Sequence, residues 1–189
     1  MSKAVFQAIE QQRWSELSSL LDRDPEAVRS THNLAQAPSR RMARHVVSPL
    51  EWAIVRREPK AVEALLKAAP LGEQGRDPEG AIGLALDVFS DDYDEVHLPD
   101  RDVYPTVRQA LAPPRGRTEQ ETLRACAQVI VAMDRAGLDW GRDHEGRNRL
   151  DWLVTSTESP AHGALKPIIE RVQAQRSLAN RPRRTGVGR

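Results

Sequence analysis

A chain of 189 residues with 39% apolar content fits one domain with a modest core. No segment approaches the roughly 18 apolar residues of a spanning helix, and the N-terminal MSKAVFQAIEQQRW lacks the apolar run and cleavage site of a secretory leader, so the expected location is cytoplasmic. A formal net charge of +1 supplies no global field toward nucleic acid or an anionic membrane, and a single cysteine, Cys126, excludes an internal disulfide.

Residues 2–29 carry two short apolar blocks at helical spacing, Val5, Ala8 and Ile9, then Leu17, Leu20 and Leu21, which predicts a helical hairpin stopped at Asp24-Pro25. The same skeleton returns in the best-patterned stretch, Ser48–Pro70. There Leu50, Ala53 and Ile54 precede Val62, Leu65 and Leu66, with the same twelve-residue step between blocks. The predicted helices are Pro49 to about Arg57 and Pro59 to Ala69. Between the two hairpins, residues 30–47 have no clear period and carry Arg40, Arg41, Arg44, His32 and His45. This is a basic loop or finger, read either as a solvated connection or as a contact surface for an acidic partner.

After Pro70 a turn-rich segment leads to GAIGLALDVF, where Leu84 follows Leu50 by 34 residues and opens a third unit. An acidic insertion interrupts it, with Asp91, Asp92, Asp94, Glu95, Asp100 and Asp102 around the lone Arg101. The run lacks the order and central glycine of a calcium loop, which leaves a solvated loop or a docking surface for a basic partner. Residues 105–111 suggest a short helix. Thr118, with Glu121 three residues on, marks the start of a longer one that runs to Ala136 and closes at Gly137. Cys126 falls on its apolar face and reads as a small core residue. In the last unit Leu150, Asp151, Trp152, Leu153 and Val154 repeat Leu50, Glu51, Trp52, Ala53 and Ile54 in type and order. A partner helix is expected within residues 160–176, with Leu165, Ile168 and Ile169 buried and Pro167 imposing a kink or a later start. From Ser177 the chain is basic and aperiodic, as expected of a disordered tail.

Searches for chemistry fail. There is no G-x-S-x-G, P-loop, H-E-x-x-H or Cys-x-x-Cys, and the five histidines lack metal-ligand spacing. Asp143 and Glu145 are the carboxylate pair closest to acid-base geometry, and a turn accounts for them. No catalytic, cofactor or metal residues are assigned. The arginines of the tail suffice for weak phosphate contacts, without interleaved aromatics to stack on bases.

These residues resemble the ankyrin repeat, whose pattern is D-x-x-G-x-T-P-L-H-x-A-A, a turn, then V-x-x-L-L-x-x-G-A-D. Asp143, Gly146 and Leu150 match in the last unit, Ser48-Pro49-Leu50, Ala53, Val62, Leu65 and Leu66 in the second, and Asp77, Gly80 and Leu84 in the third. The histidine of T-P-L-H is replaced by Glu51, Ala85 and Asp151. The interval from Leu84 to Leu150 is 66 residues, wide enough for a worn repeat, although a long insertion is preferred because residues 118–136 read as one helix.

The resemblance implies an all-α fold, a short solenoid of stacked helix-turn-helix repeats with long insertions. Its units would be about 2–29, 44–70, 77–136 with the acidic insertion 90–117, and 139–176; the tail would be 177–189. It also implies a non-catalytic protein-protein interaction module that binds one specific protein stoichiometrically, such as an inhibitor or an immunity protein of a bacterial toxin. Partner-binding positions mapped from it are Arg44, His45, Arg56, Glu79, His144, Glu145 and Arg147, and the acidic run adds Asp91, Asp92 and Asp94. Trp52 and Trp152 stand at framework positions, as packing or as contact residues. The alternative is an adaptor or regulatory protein with weak nucleic-acid binding through the basic tail. Neither reading calls for a cofactor, a small-molecule substrate or a membrane.

Overall fold

Apolar residues spaced three and four apart need a neighbouring surface, and in this chain the neighbour of each short helix is another short helix. The computed structural model describes residues 2–33, 46–74, 78–90, 116–141, 143–144, 147–149 and 162–179. Its helices are α1 (Ser2–Glu10), α2 (Trp14–Arg23), α3 (Pro49–Val55), α4 (Pro59–Ala68), α5 (Pro78–Ser90), α6 (Glu119–Arg135) and α7 (His162–Ala179). Short 3-10 turns at Pro25–Arg29 and Leu71–Glu73 follow α2 and α4. The protein is mostly helical, as expected of an all-α chain.

The helices form two layers. In one, α1 packs on α3 and α3 on α5; in the other, α2 packs on α4, α4 on α6, and α6 on α7. Across the layers, α1 meets α2, α3 meets α4 and α5 meets α6. A single continuous core runs between them, from Val5 and Ile9 through Leu50, Ile54, Leu65, Leu86, Ile130 and Met133 to Leu165. Each large aliphatic side chain removed from water contributes about 1.5–3 kcal/mol, which is why the six buried apolar residues of α1–α2 and the eight of α3–α4 hold each hairpin only when the next is in place.

The first two hairpins are the same structure repeated at 45 residues. Gln12 N–H donates to Ile9 O and Arg13 N–H to Ala8 O; Arg57 N–H donates to Ile54 O and Glu58 N–H to Ala53 O. These paired bonds close each helix through one left-handed residue, Gln12 at φ 54° and Arg57 at φ 51°. The long α6 ends the same way, with Gly137 at φ 88°, Gly137 N–H on Asp134 O and Leu138 N–H on Met133 O. Capping boxes start α3 (Ser48 with Glu51) and α6 (Thr118 with Glu121). Gln74, buried in the segment after α4, donates its side-chain amide to Leu65 O and Ala69 O and so satisfies the carbonyl end of α4.

Two two-residue antiparallel ladders complete the described structure. β1 (His32–Asn33) pairs with β2 (Val46–Val47), matching His32 with Val47; β3 (Asp143–His144) pairs with β4 (Arg147–Asn148), matching His144 with Arg147. Within the basic stretch 30–47 this first ladder brings His32–Asn33 against Val46–Val47, and residues 34–45 lie outside the described residues.

Several expectations need correction. Leu84 is not the buried leucine of the third unit. It is half-buried, while Ile82, Ala85 and Leu86 are buried at the spacing of Leu50, Ala53 and Ile54. Helix phase rather than residue type decides this, since only one face of α5 meets α3. Gly80, matched to the glycine that opens the repeat pattern, is helical. Asp77 is outside the described residues, and Gly80 lies in the first turn of α5. Leu20 and Leu66 are half-buried, unlike Leu17, Leu21, Val62 and Leu65. α7 runs to Ala179, so Ser177–Ala179 belong to the helix and not to the tail; Pro167 lies inside it, and Leu165, Ile168 and Ile169 are buried as expected. The helix expected at 105–111, the repeat of Trp52 around Trp152, and residues 180–189 lie outside the described residues.

Candidate functional site

Because the hairpins stack in register, their turns line up along one end of the two layers, and the residues of those turns meet. The centre is Glu58, which lies beyond the turn after α3 and directly precedes Pro59 at the start of α4. Its carboxylate is only 5% exposed. It accepts from Gln12 Nε2 at 2.8 Å, in the α1–α2 turn, and from Arg117 Nη2 at 2.9 Å, just before α6. Arg117 Nη1 also donates to Arg57 O at 2.7 Å. One carboxylate thus ties together the turns of the first and second hairpins and the start of α6. A charge this deep needs such compensation, because an unpaired carboxylate in this position would be strongly disfavoured.

Above this node lies an open groove of about 370 Å³. Trp14, half-buried, forms part of one wall. Lys60 from the start of α4 and Arg124 and Gln128 from α6 line the rest, with Glu121 also facing the groove. Glu121 is committed to its helix: its carboxylate accepts from the backbone N–H and the hydroxyl of Thr118, at 2.8 and 2.9 Å. These bonds, the backbone one foremost, hold the Glu121 carboxyl below its ordinary 4.5, with smaller contributions from Arg117 and Arg124. Lys60 and Arg124 are exposed and form no ion pair among the described residues.

A second polar node joins α6 to α7. Asp134 accepts from Trp140 Nε1 at 2.9 Å and pairs with Arg171 of α7. Arg149 is buried and donates from Nη1 to Asp139 O at 2.8 Å, which fastens the β3–β4 segment to the end of α6.

Of the sequence-predicted partner-binding residues, only Arg56 has a described side chain. It sits half-buried at the end of α3, its guanidinium 5.8 Å from the centre of the Trp52 ring. Trp52 is buried and belongs to the framework, in edge contact with His32, which packs in turn against Phe6. His144 and Arg147 face each other across the β3–β4 ladder, and Glu79 lies in the first turn of α5 rather than on a loop; for these three only the backbone is described. Arg44, His45, Asp91, Asp92, Asp94 and Glu145 lie outside the described residues. The structure therefore brings together a different set, Gln12, Trp14, Glu58, Lys60, Arg117 and Arg124. The only trace of it in the sequence is the 45-residue repeat, which sets Gln12 and Arg13 on Arg57 and Glu58 and Trp14 on Pro59. Arg117 carries no such signal.

Among the described residues no group of three or more His, Cys, Asp or Glu side chains could hold a metal ion, and no helix is long and apolar enough to cross a membrane. Cys126 is buried in α6. Comparison of the chain with known protein families, with characterised proteins and with solved structures found no match.

Proposed function

We propose that this chain is a non-catalytic interaction module, an ankyrin-like stack of helical hairpins that binds one specific protein stoichiometrically and neutralises it, in the manner of an inhibitor or a bacterial immunity protein. A cytoplasmic site of action belongs to the same proposal. The observation that carries it is the 45-residue repetition of the hairpin turn, bond for bond, in α1–α2 and α3–α4, with successive hairpins packed layer on layer. Stacked repeats generate extended surfaces on which side chains of several units act on one partner. The two ladders, β1–β2 and β3–β4, support the same reading, since each brings together the ends of a segment that carries proposed contact positions. Arg44, His45, Arg56, His144, Glu145 and Arg147 are its contact positions, with Glu79 and the acidic Asp91, Asp92 and Asp94 on the third unit.

The test is affinity capture with the full chain from its own cell, identification by mass spectrometry, and measurement of stoichiometry by light scattering. The expected result is one protein recovered in a fixed ratio. Recovery of no specific protein, together with turnover of a small molecule by the purified chain, would sink the reading.

A further inference from the structure

Resting on that reading, we propose that the groove over the aligned hairpin turns is the docking site for an acidic segment of the partner protein, whose carboxylates pair with Lys60 and Arg124. Charge complementarity argues for this occupant. Three cations, Lys60, Arg117 and Arg124, line the groove against two carboxylates, Glu58 and Glu121. Both carboxylates are already engaged, Glu58 by Gln12 and Arg117 and Glu121 by Thr118. Lys60 and Arg124 are left as the groove's exposed, unpaired charges among the described residues. A volume of about 370 Å³ is at the small end of ligand-sized clefts and suits a few side chains of a peptide segment. Trp14 offers an adjoining apolar wall for a residue next to the acidic one.

The same charges argue against a nucleic-acid backbone. A run of phosphates needs a continuous track of cations and aromatic platforms in series. Here the cations are interrupted by Glu121 at the rim, and Trp14 is the groove's only aromatic residue among the described ones. Carboxylates on flexible side chains can be placed on Lys60 and Arg124 to either side of Glu121; a phosphate strand, with its fixed spacing, finds no continuous track there.

The probe is hexaglutamate, titrated into the ¹⁵N-labelled full chain at low salt, with and without about 0.5 M sodium chloride, where the screening length is only a few ångströms. The expected result is movement of the Lys60, Glu121 and Arg124 amides and the Trp14 indole, lost at high salt. Affinity should fall about tenfold in Lys60→Glu/Arg124→Glu and be retained in Lys60→Arg/Arg124→Lys, whose unchanged amide spectrum elsewhere verifies folding. Shifts confined to other residues would overturn the proposal, as would equal affinity in the charge-reversed variant. So would binding that requires Asp91→Asn/Asp92→Asn/Asp94→Asn, which makes the chain's own acidic run the occupant, or tighter binding of single-stranded DNA to the same amides. The module and the groove are separated by cellular capture. A partner captured equally by wild type and Lys60→Glu/Arg124→Glu removes the groove and leaves the module; hexaglutamate binding without any captured partner does the reverse.

Discussion

Glu58 carries more of the structure than its single negative charge suggests, because removing it takes the acceptor from two donors at once. Gln12 and Arg117 both reach it, and Arg117 is itself only 22% exposed. Glu58→Ala is expected to cost about 2–3 kcal/mol, the range for leaving partners of a buried charged bond unsatisfied. For a chain of this length that lowers the melting temperature by about 4–12 °C, measurable by calorimetry. A double-mutant cycle with Arg117→Ala should show strong coupling, whereas additive losses would place the stabilisation elsewhere. At the rim, Glu121 behaves differently. Its folded carboxyl titrates below its ordinary 4.5, so its contribution is present above that value and is lost as pH falls through the lower folded one. The Thr118 amide shift, followed against pH, should therefore report an inflection below 4.5 that disappears in Glu121→Gln. An inflection at the ordinary value would mean that the capping bonds do not persist in solution.

At the scale of the elements, phase decides what residue type cannot. Ile82→Ala in α5 is expected to destabilise by about 2–5 kcal/mol, as for a fully buried aliphatic, and half-buried Leu84→Ala by about half as much or less. The reverse order, read from denaturant midpoints, would restore Leu84 as the core residue. Pro167 lies five residues into α7, beyond the first turn, and so removes a backbone donor that the helix could use. Pro167→Ala should raise stability by about 1–3 kcal/mol, and no gain would mean that the helix is bent there to suit its packing on α6. Much of this layer was legible beforehand. The apolar blocks at 5–21 and 50–66, the Thr118–Glu121 cap and the Gly137 stop are local patterns, and local patterns decide where helices begin and end. The third unit misled because GAIGLALDVF is apolar nearly all round, so a leucine at the right interval could be chosen in the wrong phase. The groove was not legible. Gln12, Glu58 and Arg117 are ordinary polar residues whose partners are 46 and 59 positions away, and no periodicity within a single hairpin records such contacts.

At the scale of the whole molecule, each helical layer is held chiefly by its nearest neighbours: α2 by α4, α4 by α2 and α6, α7 by α6. Such an architecture has few built-in ties between one hairpin and the next beyond apolar packing. The Gln12–Glu58–Arg117 node adds one, as a polar rivet through the turn ends.

That node also sets an order of events. It cannot exist within any one hairpin, so it closes only after separate hairpins have docked, late on the path from the unfolded chain. Weakening it should leave the folding rate of Glu58→Ala nearly unchanged and accelerate unfolding by most of the measured stability loss, a φ-value near zero in a chevron plot. The rivet would then act on the lifetime of the assembled stack, and under the proposed function, in which the chain works by staying bound to its target, that lifetime bounds how long it can act.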